Sequence, residues 1–338
     1  MLLKALSELN GASGEEKPVR DYLRQVLEPF ADKVVVDTLG NLIVRKKGRV
    51  PGPLVMLAAH MDEVALMITG ITPEGLLKFQ PVGGMDPRIL PAKTVKIGPE
   101  QLAGVIGLKA IHLTKVLERQ KAPDFDKLCI DIGAKSKEQA ESVVRLGDYA
   151  YFDTEFEMLG EGYFKGKALD DRIGCAVLAE VLQRDYDLPL AGVFTVQEEV
   201  GLRGAKVAAF RLEPDFAIVV EGTVSADMPE VKDKDWVTQL GRGPACSLMD
   251  KATLYAPRLV RKTEEIARRR GIPLQFRRGS SGGNDAGVIH LSQKGVPTLA
   301  LSVPCRYIHS WASIAAEADF KATVELVDAL LREGVKEI

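Results

Sequence analysis

Pro53-Leu-Val-Met-Leu-Ala-Ala-His60-Met-Asp62-Glu63 is the stretch that decides the fold. A short apolar run without alternation reads as a strand buried on both faces, and it ends here in an imidazole and two carboxylates. The same texture returns at Ala191-Gly-Val-Phe-Thr-Val196, Phe216-Ala-Ile-Val-Val220 and Thr298-Leu-Ala-Leu-Ser-Val303. Helical stretches lie between and after these runs. Residues 172–184 carry Ile173, Val177, Leu178, Val181 and Leu182 on one stripe, and further helices fall near 254–270 and 316–333. Helix alternating with buried strand predicts an α/β fold with a mostly parallel mixed sheet flanked by helices.

Upstream, Leu2, Leu3, Leu6 and Leu9 recur at helical spacing until Gly11-Ala-Ser-Gly14 breaks the chain. Ser13 is the expected N-cap of a helix over residues 15–30. Val34-Val-Val-Asp37 and Leu42-Ile-Val-Arg45 flank Thr38-Leu-Gly-Asn41 and predict a hairpin. The texture changes between 67 and 160. Short β-branched runs such as Thr94-Val-Lys-Ile97, Gly104-Val-Ile-Gly-Leu108 and Ile130-Asp-Ile-Gly133 alternate with glycines and prolines, and the one amphipathic helix falls at 136–145. The expected organisation is an α/β domain of residues 1–66 and 161–338, interrupted by a β-rich insertion of residues 67–160.

The 338 residues suffice for two such units. With 45 Lys and Arg against 47 Asp and Glu, the net charge is −2, which disfavours a protein built to bind nucleic acid or an acidic membrane. No apolar run reaches the roughly 18 residues of a membrane helix, and the first residues turn polar too early for a secretory signal. Cys129, Cys175, Cys246 and Cys305 show no CxxC spacing. A soluble cytoplasmic protein is the expectation.

Four histidines are available: His60, His112, His290 and His309. His60 and Asp62 close the first buried run and point to one side of an extended chain. Asp170 and Asp171 precede the 172–184 helix, Glu198 and Glu199 follow the second run, Glu221 the third, and His309 the fourth. Open α/β sheets place their sites at such strand ends. Each pair alone is more often a solvated turn or a helix cap than a ligand. Two histidines converging with carboxylates from five places suit zinc, cobalt or manganese, and a carboxylate can bridge two such ions. His112 and His290 lack acidic neighbours and read as structural.

His60-Met-Asp-Glu63, Ala168-Leu-Asp-Asp-Arg172, Gln197-Glu-Glu-Val-Gly201, Glu221-Gly-Thr223 and Arg306-Tyr-Ile-His-Ser310 resemble, in order and spacing, the co-catalytic metallo-aminopeptidases that form tetrahedral (TET) particles. That family includes deblocking and glutamyl aminopeptidases, and some members have been labelled endoglucanases. The resemblance implies a phosphorylase/hydrolase-like catalytic domain with an inserted, barrel-like dimerisation domain. It implies two divalent ions, Zn²⁺ or Co²⁺, with His60 and Glu221 on one, Glu199 and His309 on the other, and Asp170 bridging. Asp62 would orient His60, and Glu198 would be the general base. The implied activity is removal of N-terminal residues from peptides, by a homododecamer built from dimers. Two positions depart from the family pattern: Glu221, where several relatives carry Asp, and Trp311, where many have Pro.

Other readings compete. Gly279-Ser-Ser281-Gly-Gly283 matches the G-x-S-x-G elbow of serine hydrolases, with Asp285 and His309 as nominal partners, although Asp285 follows Ser281 too closely. A deacylase could use the same pair of metals, and a non-catalytic scaffold could use the carboxylates to hold loops. The basic residues between Arg258 and Arg270 share a predicted helix with Glu264 and Glu265, so a solvated face or subunit contact fits better than a nucleic-acid stripe. The segment from Gly160 to Lys167 fails as a phosphate loop for want of the required glycine spacing and a hydroxyl after the lysine.

Overall fold

The structure, a computed structural model, describes residues 1–334. Its larger sheet runs in the order Lys33–Val36, Leu42–Lys46, Leu190–Thr195, Val55–His60, Phe216–Val224, Thr298–Arg306, Ser313–Ala316, Tyr163–Gly166, Glu157–Leu159. Two short strands, Ala245–Ser247 and Gln275–Arg277, extend it from Thr298–Arg306. The four central strands are mutually parallel, the pairings outward from them along this order are antiparallel, and the two short added strands are parallel to each other. The sequence explains the division. All six residues of Val55–His60 and of Leu190–Thr195 are buried, as strands covered on both faces must be. The edge strand Lys33–Val36 has no buried residue.

Helices flank this sheet. Leu169–Leu182 packs on Val55–His60 and Phe216–Val224, and Leu2–Glu8 and Glu317–Ala329 pack on that helix. Gly174 permits the close approach: a Cβ there would stand 2.7 Å from the Val220 carbonyl oxygen and 2.3 Å from Asp171 Oδ1. Any larger residue would push the helix off the strand that carries Glu221.

Six strands form a closed antiparallel barrel, in the order Ala65–Ile71, Leu77–Val82, Cys129–Asp131, Leu102–Gly107, Thr94–Ile97, Tyr149–Phe152. Leu66, Ile68, Phe79, Val95, Ile106 and Ile130 fill its own core, separate from that of the sheet. Closure leaves no long edge strand for unwanted pairing. Among the described residues no helix is long and apolar enough to cross a membrane.

Two local expectations are corrected. The helix expected over 136–145 shortens to Lys137–Glu141. Ser13 does not cap the second helix, which runs from Lys17 to Leu27 with Glu16 at its N-cap and no side-chain cap bond. The Ser13 hydroxyl instead donates to Asp62 Oδ2 at 2.6 Å. A buried carboxylate is the stronger acceptor, and Pro18 in the first turn already lacks one of the amides that a cap would serve. The helix near 254–270 spans Pro257–Arg270, and its Arg269 and Arg270 pair with Glu333.

Candidate metal centre

Parallel strands bring their carboxyl ends to one edge of a sheet, and that edge collects the side chains singled out above. His60 is the last residue of its strand, in register with Thr195, whose strand leads into Glu198 and Glu199. Glu221 lies within Phe216–Val224, and His309 follows Thr298–Arg306. Asp170 and Asp171, joined by a cis peptide bond, precede the regular turns of their helix.

The distances are specific. His60 Nε2 lies 3.5 Å from both Asp170 Oδ1 and Glu221 Oε2. His309 Nε2 lies 3.3 Å from Asp170 Oδ2 and 3.2 Å from Glu199 Oε1. Asp170 therefore turns one carboxylate oxygen to each imidazole. Donor atoms of His60, Asp171 and Glu221, of His60, Glu198 and Glu199, and of Asp170, Glu199 and His309 fall within 4.8 Å of one another. Both Asp171 oxygens are already engaged, by the amides of His60 at 3.1 Å and Gly174 at 3.0 Å.

These donors fit divalent cations. Ligands about 2.1 Å from a tetrahedral ion lie about 3.4 Å from each other, the spacing that separates these nitrogens and oxygens. Among the described residues no hydrogen bond of good geometry reaches the buried Glu199 Oε1 or Glu221 Oε1, a costly arrangement unless a cation sits beside them. The electrostatics agree. Burial works to lower the His309 pKa, yet the carboxylates of Asp170 and Glu199 hold it up at about 11. Burial raises the Glu198 and Glu221 carboxyls well above the usual range, and neighbouring acids add to the rise.

Asp62 does more than its sequence position suggests. His60 Nδ1 donates to the Asp62 carbonyl oxygen at 3.0 Å, with Asp62 Oδ1 3.4 Å away. The carboxylate accepts the backbone amides of Glu198 at 3.0 Å and Glu199 at 3.1 Å, as well as the Ser13 hydroxyl. Glu16 plays a similar part, accepting the Gln197 amide at 3.0 Å. Neither Ser13 nor Glu16 belongs to a motif, and no local pattern could have revealed them. Asp285, buried beneath, receives the Thr195 hydroxyl at 2.6 Å.

Behind the site, Glu63 pairs with Lys167 at 2.7 Å and with Arg172 at 3.2 Å. Arg172 also donates to the carbonyls of Met61, Leu6, Leu9 and Gly11. It thereby ties the N-terminal helix to the loop after His60.

The elbow-like Gly279–Gly283 segment has its strand before and helix after, but its nominal partners are elsewhere engaged. His309 Nε2 faces Asp170 and Glu199, and Asp285 Oδ2 takes the Thr195 hydroxyl. His290 Nδ1 contacts the Ala286 carbonyl at 2.7 Å, and His112 sits exposed on the short turn Ile111–Leu113. The metal-ligand candidates and Glu198 line a cavity of about 940 Å³ that also reaches Asp250, Lys251, Arg277 and the loop from Ser281 to Asn284.

A lysyl aminopeptidase of Pyrococcus furiosus is 37% identical over 98% of this chain and 96% of its own. An aminopeptidase of the archaeon Desulfurococcus kamchatkensis superposes with a TM-score of 0.95 at 36% identity, covering 99% and 95% of the two chains. A Pyrococcus horikoshii TET1 peptidase, whose chains assemble into a tetrahedron or a large octahedral shell, superposes at 0.87 with 37% identity and 98% coverage of each. Fold and sequence thus define a hydrolase of the aminopeptidase class. The model of the M42 glutamyl aminopeptidase family matches residues 40–326, and the chain belongs to that family.

Proposed function

We propose that this aminopeptidase works through two divalent metal ions, with His60 and Glu221 holding one, Glu199 and His309 the other, and Asp170 bridging them. The observation that carries the reading is Asp170, whose two oxygens face His60 and His309 separately. Bound there, zinc or cobalt would polarise the scissile carbonyl and acidify a water. The chain's own residues do the rest. Glu198 stands beside His60 and Glu199, within 4.8 Å of their donor atoms, and its carboxylate takes no hydrogen bond among the described residues. It is the group that takes the proton from the attacking water and returns it to the leaving amine. Asp62 fixes the Glu198 and Glu199 amides side by side, so one carboxylate can bind metal while its neighbour stays free. The acids around the reaction point also suit the α-ammonium of a peptide N-terminus.

We assign residues 1–66 and 161–338 to catalysis and the inserted segment 67–160, which carries all of the barrel but the first two residues of its strand Ala65–Ile71, to dimerisation, with dimers building a closed shell of the TET kind, such as a dodecamer.

The deciding experiment strips the protein with a chelator and restores single metals before a panel of aminoacyl-chromogens is offered. Activity should vanish on chelation and return with zinc or cobalt. Activity that survives chelation, or that falls on N-terminally blocked peptides and not on free ones, would refute the proposal and favour the serine or deacylase reading. His60→Ala and His309→Ala should each lower bound metal relative to wild type in elemental analysis. Undiminished metal in both variants would contradict the ligand set.

A further inference from the structure

A second cavity, of about 930 Å³, shares Gly84, Ile308 and His309 with the first. It runs between the barrel-side segment that bears Arg88 and Lys93 and the loop that bears Tyr307 and Trp311. Its size is that of a small-molecule site. Its charge balance is opposite to that of the metal centre: Arg88, Lys93 and Lys165 line it against one acid, Asp86. Arg88 is paired with Asp86, and Lys165 with Glu157 at 3.2 Å. Lys93 has no carboxylate partner among the described residues, and its Nζ stands 4.1 Å from the centre of the Trp311 ring. The loop that carries the ring is held in place, since the Trp311 carbonyl accepts the Thr154 hydroxyl at 2.6 Å and Ser310 Oγ lies within bonding distance of the carbonyls of Tyr307 and Ala312.

A peptide cut at its N-terminus carries an ammonium one residue before the scissile bond and a carboxylate on the leaving side. The ammonium belongs with the acids at the metal centre. In the second cavity it would meet the ammonium of Lys93, with Arg88 and Lys165 already balanced by Asp86 and Glu157, whereas a carboxylate would be attracted. At about 3.4 Å per extended residue, the carboxylate of a dipeptide or tripeptide lies within about 10 Å of the scissile bond. The cavity shares His309 with the metal centre, so its near end lies within that reach.

We propose that the second cavity is the subsite for the leaving part of the substrate, and that Lys93, presented over Trp311, receives the terminal carboxylate of short peptides. The inference rests on the aminopeptidase reading given above. A half-buried ammonium over an aromatic face can pair with a carboxylate on one side while the ring backs it on the other.

The test compares a tripeptide bearing a free carboxylate with its C-terminal amide, using zinc-loaded wild type, Lys93→Gln, Lys93→Glu and Trp311→Ala. The first residue is the one preferred in the chromogen panel. In wild type, kcat/KM should favour the free carboxylate by about fivefold, equivalent to about 1 kcal/mol, mostly through KM. The ratio should fall to about one in Lys93→Gln and Trp311→Ala, and should invert in Lys93→Glu. A wild-type ratio of one, or a wild-type ratio retained in Lys93→Gln, overturns the subsite. A Lys93-dependent gain for an amidated peptide with Asp at its second position, without one for the free terminus, overturns the terminal-carboxylate assignment. Failure of wild type to release the first residue from either peptide removes the aminopeptidase reading and the subsite together. Brisk release with no discrimination removes only the subsite.

Discussion

Glu198→Gln is expected to lower kcat by about 10²- to 10⁴-fold, the range that a positioned general base contributes, while bound metal stays at its wild-type level. The substitution is nearly isosteric. Asp62 Oδ1 receives the backbone amide of residue 198, so the turn survives the change. What disappears is an acceptor for the proton of the attacking water, because an amide oxygen is far less basic than a carboxylate. The loss corresponds to about 3–5 kcal/mol of transition-state stabilisation and should appear in kcat more than in KM. Glu199→Gln is the informative companion. Its carboxylate faces His309 at 3.2 Å, so this change should cost metal and activity together. Near-normal kcat in Glu198→Gln would place the base elsewhere, and equal metal loss in the two variants would erase the division of labour between adjacent residues.

Adjacent residues with different tasks also show what the sequence disclosed and what it concealed. The buried strands were legible because burial on both faces imposes an uninterrupted apolar run, and Val55–His60 and Leu190–Thr195 have no exposed residue. The hairpin was legible for the opposite reason, a polar turn between two β-branched runs, and it pairs Val36 with Leu42. Strand ends then pointed to His60, Glu198, Glu199 and His309, because a parallel sheet gathers its carboxyl ends at one edge. Closure of the barrel was not legible in detail. Its strands are three to seven residues long, and their pairing order, with Cys129–Asp131 between Leu77–Val82 and Leu102–Gly107, depends on contacts remote in sequence. The supports of the site were hidden for the same reason. Ser13 reaches Asp62 across 49 positions and Glu16 reaches Gln197 across 181, and each looks locally like an ordinary helix-start residue. Tertiary demand for donors and acceptors overrode the local capping preference at Ser13.

Glu63→Ala is expected to destabilise the fold by about 3–5 kcal/mol, since it leaves buried cations without their counter-charge. Glu63, Lys167 and Arg172 are all nearly inaccessible, at 3%, 3% and 0% exposure. The two cations will not suffer equally. Arg172 keeps four backbone carbonyl acceptors, whereas Lys167 keeps one, the Leu9 oxygen at 3.0 Å. Burial already lowers the Lys167 pKa to about 8 even with Glu63 beside it, so without that carboxylate the ammonium sheds its proton at a lower pH. The pH dependence follows from this difference. Between its lowered pKa and about 8 the folded variant has lost the Lys167 proton, while the folded wild type and the unfolded chains still keep it. The variant therefore gains stability relative to wild type as pH rises toward 8, with a limiting slope of about 1.4 kcal/mol per unit. Above 8 neither folded form holds the proton, and the gap should stop closing. Urea unfolding of both proteins between pH 6 and 9 measures it. Glu63→Leu combined with Lys167→Met should recover much of the loss, because it removes the uncompensated charge together with its partner. An unfolding midpoint for Glu63→Ala equal to wild type, or a gap independent of pH below 8, would mean that the network is not the anchor of the loop that carries His60.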